Sequence, residues 1–303
     1  MRLLTSSKAL AVLFSLILIA APYCLAQSSE LRGLAPTDVV CGYSGRMRMV
    51  SAGEVQQGLS VEMLAGESGA GITMPLRFRV TQKPQDEPVD DLQVEHEKLM
   101  HVIGVRDDLR EFIHIHPQRV GSGLWQVNHA FPKAGRYQFW ADVKHRGTVY
   151  SFAQPRVRIT GAAATWTAET IPTREDTKSG FQISLTTPGE LVAGQTNLLL
   201  ITIRNPEGNQ IGTEFFLGAL MHVVVIKDDL SVYAHGHAGN HLKGERDLYF
   251  NQVFPARGNY KIFAQFRPLK TKLPPDEAIL AEFWVRVRGA SVGLERSERP
   301  AQN

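Results

Sequence analysis

The sequence predicts an all-β chain: two tandem β-sandwiches, immunoglobulin-like or cupredoxin-like, following a signal peptide. Three observations carry this. "LMHVIGVRDDLREFIHIHP" from Leu99 returns as "LMHVVVIKDDLSVYAHGHA" from Leu220, an offset of 121 residues. The match widens at an offset of 123, with "AFPKAGRYQFWADV" from Ala130 over "VFPARGNYKIFAQF" from Val253 and "GITMPLRFRV" from Gly71 over "GQTNLLLITI" from Gly194. Each copy is made of short runs rich in β-branched and aromatic residues, separated by turn residues, and no segment sustains the 3.6-residue apolar period of a long helix.

Taken in order, residues 1–26 read as a secretory leader: Arg2 and Lys8 precede an apolar stretch that ends in small residues before Gln27. A lipid on Cys24 is disfavoured by the bulky Tyr23 before it. Without Arg2 and Lys8 the 33 basic residues become 31 against 30 acidic, so no field for nucleic acid or for a membrane surface is expected. No membrane insertion is expected after cleavage. Of the two cysteines Cys24 leaves with the leader, so the mature chain has no intrachain disulfide and stands on its hydrophobic cores.

Residues 27–58 form an N-terminal segment carrying Cys41 and the Met47-x-Met49 pair, which we read as packing residues ahead of a soft Cu(I) site. Repeat 1 follows over 59–160, a linker with at most one short strand over 161–180, repeat 2 over 181–289 and a polar tail over 290–303. In both repeats Gly-x-Tyr, at Gly135 and Gly258, has the form of a tyrosine corner, while Phe139 and Ile262 stand where an immunoglobulin core cysteine would be.

The repeated stretch has the form of a hairpin. Asp107-Asp108 and Asp228-Asp229 are turn residues, and pairing Val105 with Arg110 sets His101 opposite His114 and Leu99 opposite His116. Alternation then projects His101, His114 and His116 from one face, and His222, His235 and His237 likewise in repeat 2. Three imidazoles so placed can converge on one ion, copper or zinc by the nitrogen chemistry. The same face carries Ile103, Val105 and Phe112 nearer the turn, so we expect it to look into its own sandwich and reach the rim at the histidines. Met100 and Met221 point the other way, into core packing. His96, His129, His145 and His241 are read as structural, with His96, His129 and His241 within reach as fourth ligands. The two sites are expected to bind independently, the first more tightly because Gly236 loosens the second, and to weaken below about pH 6 as imidazole near its ordinary pKa of about 6.5 takes a proton.

The order Met-His, Asp-Leu, His-x-His(-Pro), then Phe-Pro-x-x-Gly-x-Tyr resembles a group of exported bacterial β-sandwich domains of the YtkA-like, or heavy-metal-binding, type. The resemblance covers both repeats and implies an immunoglobulin-like fold and copper handling. Repeat 2 departs from it, with Ala238 for the proline and Gly236 between its histidines.

No nucleophile elbow, phosphate loop, His-Glu-x-x-His or dinucleotide fingerprint occurs, so no enzyme is expected; blue copper would also need a cysteine beside the histidines. The sequence therefore points to a periplasmic or secreted metal-binding protein, a carrier or sensor whose partner is the ion itself. The alternative is a non-enzymatic cell-envelope interaction protein whose histidines are structural and whose partner is another envelope protein.

Overall fold

A computed structural model of the chain describes residues 42–43, 52–64, 66–162, 172–239 and 246–290. The leader, Cys41, the Met47/Met49 pair, His241 and the tail from residue 291 lie outside them. No helix occurs among the described residues, and the strands build the two sandwiches that the repeat predicts.

In repeat 1 one sheet contains β1 (Leu59–Leu64), β2 (Thr73–Gln82) and β5 (Leu124–Ala130). The other places β3 (Met100–Arg106) between β4 (Phe112–Ile115) and β6 (Gly135–His145), with β7 (Thr148–Ala153) and β8 (Val157–Thr160) along the far side of β6. Repeat 2 copies this plan. Its first sheet contains β9 (Phe181–Thr186), β10 (Thr196–Arg204) and β13 (Leu248–Val253); in its second, β11 (His222–Lys227) lies between β12 (Tyr233–His237) and β14 (Gly258–Pro268), and β15 (Ile279–Arg288) follows β14. The short strand expected before repeat 2 is Glu175–Lys178, which pairs with β9, while Gly42–Tyr43 runs parallel beside β13.

Alternation explains the cores. Along β2 the inward residues Met74, Leu76, Phe78 and Val80 meet Met100, Val102 and Phe139 from the opposing sheet. In repeat 2 Leu199, Ile201 and Ile203 meet Met221, Val223 and Ile262. Met100 and Met221 have no exposed surface, as their position one residue before the histidines requires. Both tyrosine corners close: the Tyr137 hydroxyl donates to the Lys133 carbonyl at 2.8 Å and that of Tyr260 to the Ala256 carbonyl at 2.7 Å.

Two expectations about the hairpins need correction. The observed register is Val102 with Ile115, Ile103 with His114 and Val105 with Phe112, and His222 lies opposite His237, not His235. One further step of the first ladder sets His101 against His116. The turn is the reason. Arg106 stays in the ladder, its N–H donating to the Glu111 carbonyl at 3.2 Å, because its guanidinium grips Asp108 through two hydrogen bonds of 2.9 and 2.6 Å. Asp108 also accepts the Arg110 N–H, and Leu109 takes up a left-handed φ of 58°, as Leu230 does at 63°. The slip is two residues, so side-chain parity survives and the three histidines of each hairpin still share a face.

The second correction concerns where that face looks. It does not enter its own sandwich; it meets the other repeat. Ile103, Val105, Leu109, Trp140 and Ala153 form one buried cluster with Val224, Ile226, Tyr233 and Phe263. Trp140 stacks on Tyr233 at 4.7 Å with an interplanar angle of 3°, and the pseudo-equivalent pair Phe112 and Phe263 stacks at 4.6 Å. β3 is consequently buried on both faces, as its near-continuous apolar run "HVIGV" suits. The hairpin sheets of the two sandwiches thus lie against each other, and the histidines of both are brought to one place.

Candidate metal centre

The centre is built by two tight turns, two hairpins and two central strands, each present once per repeat. Glu95 and Lys98 close a two-residue turn with reciprocal bonds of 2.8 and 3.1 Å, and His96 and Glu97 at its tip have positive φ. That turn presents the Glu95 carbonyl to His101 Nε2 at 2.8 Å. Phe216 and Ala219 close the matching turn in repeat 2, presenting the Phe216 carbonyl to His222 Nε2 at 3.0 Å. A carbonyl only accepts, so both Nε2 atoms carry the proton and both Nδ1 atoms are left with a bare lone pair.

Those lone pairs point at the next histidine. His101 Nδ1 lies 3.1 Å from His114 Nε2, and His222 Nδ1 lies 3.2 Å from His235 Nε2. The far nitrogens of His114 and His235 are held across the boundary: His114 Nδ1 donates to Gln265 Oε1 at 2.8 Å, and His235 Nδ1 donates to Asp142 Oδ2 at 3.0 Å. Asp142 also accepts the Tyr233 hydroxyl at 2.6 Å. In this tautomer set the two short nitrogen–nitrogen contacts join two acceptors, which repel unless a cation lies between them. Nitrogens bound to one tetrahedral ion at about 2.0–2.1 Å are roughly 3.3 Å apart, close to both contacts.

The electrostatics agree with neutral ligands. His116 and His222 are pushed down to about 3, by burial first and then by neighbouring imidazoles, chiefly His101. Burial lowers His101 too, and lowers His114, His235 and His237 further, again with surrounding histidines adding to the effect. His116 Nε2 and His237 Nε2 are buried with no hydrogen-bond partner. Neutral, desolvated imidazoles with unused lone pairs are the state in which nitrogen binds a metal.

Donor atoms of His101, His114 and His116 lie within 4.8 Å of one another, as do those of His114, His222 and His235. The first set is the one expected within repeat 1. The second crosses the boundary, because packing of the hairpin faces brings histidines of both repeats together where each repeat was expected to hold its own set. Among the described residues His222, His235 and His237 do not form the corresponding set. His237 instead lies tilted against His96 of the other repeat, ring centroids 3.5 Å apart, and His96 also lies edge-on to His222 at 5.9 Å. His96 thus packs against the histidines of repeat 2, while its Nε2 lies 3.3 Å from Glu95 of its own turn. His145 has the structural role expected, its Nε2 at 3.2 Å from Asp91, and His129 lies edge-on to Phe131.

Asp142 and Gln265 escaped the sequence reading. They occupy matching positions in "WADV" and "FAQF", each the single polar residue of an otherwise apolar four-residue run, and that interruption was their signal. Residues 54–159 and 176–289 each match the family described as Domain of unknown function (DUF8832). No curated protein matches the chain.

Proposed function

Because the chain belongs to the DUF8832 family and carries that family's domain twice, we propose a function that needs both copies: an exported, non-enzymatic carrier or sensor that holds a transition-metal ion, copper ahead of zinc, between its two sandwiches. The observation that supports this most is the short contact between the bare nitrogens of His222 and His235, each fixed from behind by an acceptor that dictates the tautomer, with its counterpart between His101 and His114. The donor set is imidazole throughout, without thiolate, and Cu(II) heads the divalent order for nitrogen ligands. Buried apolar walls from Trp140, Phe112, Tyr233 and Phe263 limit water at the ion. The resemblance to exported YtkA-like domains and the reading of residues 1–26 as a leader support export, to the periplasm or out of the cell.

Metal analysis of the untagged protein, followed by Cu(II) and Zn(II) titration of the stripped protein, tests this directly. We expect stoichiometric copper that zinc displaces poorly. Absence of binding by either ion would leave the histidines as an interface network, the role they would have in an envelope interaction protein.

A further inference from the structure

His114 belongs to both three-histidine sets. Its Nδ1 is occupied by Gln265 at 2.8 Å, so it has a single lone pair, on Nε2, to give. Two ions cannot both use it. The sets are therefore alternative places for one ion, not two sites filled together.

They also differ. His101, His114 and His116 sit in one hairpin, and behind the shared His114 stands the neutral amide of Gln265. His222 and His235 come from the other repeat, and behind His235 stands the carboxylate of Asp142, which Tyr233 and His235 both hold in place. The pseudo-twofold that relates the repeats thus breaks at the residue that sets charge. Asp142 hydrogen-bonds a ligand only in the second set, although its charge also reaches His101, which it faces across the β3–β6 ladder. Burial does not separate them: each set joins one buried ring, His101 at 3% or His222 at 1% exposed, to two half-buried ones.

Resting on the metal-binding reading above, we propose that the protein passes one ion between two seats: capture by His101, His114 and His116, then movement to His114, His222 and His235, with His114 bound throughout as the pivot. The transfer exchanges two imidazoles for two others. No bond to His114 breaks, no electron moves and no proton is released, because all five rings are neutral and His101, His114, His222 and His235 keep their outer hydrogen bonds. Stepwise exchange of this kind lets a site hold an ion firmly and still load quickly, since no intermediate is left with fewer than two or three ligands.

Co(II) alone is the probe, because its visible spectrum reports ligand number and geometry. Mixed rapidly with the stripped full-length chain, it should give a first phase whose rate rises with Co(II) concentration and a second that is independent of it and changes the spectrum, ending at one ion per chain. His116→Ala should load about 10-fold more slowly or worse and reach the same final spectrum. His116→Asn, which keeps a polar side chain there, is the second variant should the alanine disturb folding. His235→Ala should stop at the first spectrum. Two ions per wild-type chain, a His116 variant that loads at the wild-type rate, or a His235→Ala endpoint identical to wild type would each overturn the two-seat proposal. Failure of wild type to take up Co(II) or Cu(II) at all would instead overturn the metal reading beneath it.

Discussion

At the scale of single residues, Asp142 and Gln265 separate two halves that otherwise mirror each other. A glutamine amide can turn its nitrogen toward His114 and accept the opposite tautomer; an ionised carboxylate cannot donate, so Asp142 leaves His235 only one. Asp142→Asn should therefore weaken copper binding about 10- to 100-fold, while Gln265→Asn should do much less. Equal losses in the two variants, read by calorimetric titration, would show that the carboxylate has no special part. The lowered histidine pKa values make a second prediction. His116 and His222 titrate near 3 in the fold and near 6.5 when unfolded, so below about 6.5 the unfolded chain binds protons that the folded chain refuses. Stability contributed by these groups is present above pH 6.5 and is lost as pH falls from about 6.5 towards 3. Denaturant midpoints of the metal-free protein should drop steadily across that window; a flat midpoint down to pH 4 would contradict it. For the same reason bound copper should persist below pH 6, where rings with ordinary pKa values would already release it.

At the scale of elements, the hairpin turns decide which residues face which. Arg106 and Asp108 are nearly sealed from water, their side chains 5% and 0% exposed, and they lock the register that sets His114 against Ile103. Asp108→Ala leaves the buried guanidinium with only Glu111, 4.0 Å away, and should cost about 3–5 kcal/mol in the unfolding free energy. A loss below 1 kcal/mol would mean that the turn does not need the pair. The neighbouring glycine is required by the same packing: Gly135 has a φ of 150°, and a Cβ there would meet Arg106 Cδ at 2.7 Å. Much of this level was legible in the sequence. Alternation in "LRFRV", the Gly-x-Tyr corners and the paired aspartates gave strands, corners and turns. The register was missed by two residues because two four-residue loops of the same parity satisfy the same hydrophobic pattern, and what distinguishes them is the turn that Asp108 and Asp229 close by accepting the Arg110 and Ser231 N–H groups.

At the scale of the whole molecule, duplication has produced an internal pseudo-dimer whose contact is made by the histidine faces. The sequence showed the histidines and their common face but not what that face would meet, because an apolar strand face looks alike whether covered by its own sandwich or by another. The packing of Trp140 on Tyr233 and Phe112 on Phe263, with the Gln265–His114 and Asp142–His235 hydrogen bonds, brings His114 to His222 and His235. Trp140→Ala should accordingly cost about 3–5 kcal/mol and reduce copper affinity, although no atom of Trp140 is a ligand. Unchanged affinity in a folded variant would mean that each hairpin binds its ion unaided.

The central claim is that one ion is shared by the two repeats, and a crystal of the copper-loaded protein measured at the copper absorption edge addresses it most directly. The account predicts one anomalous peak per chain, lying among His114, His222 and His235, within bonding distance of nitrogen from both repeats. Two peaks, one inside each hairpin, or a single peak ligated from one repeat alone, would contradict it.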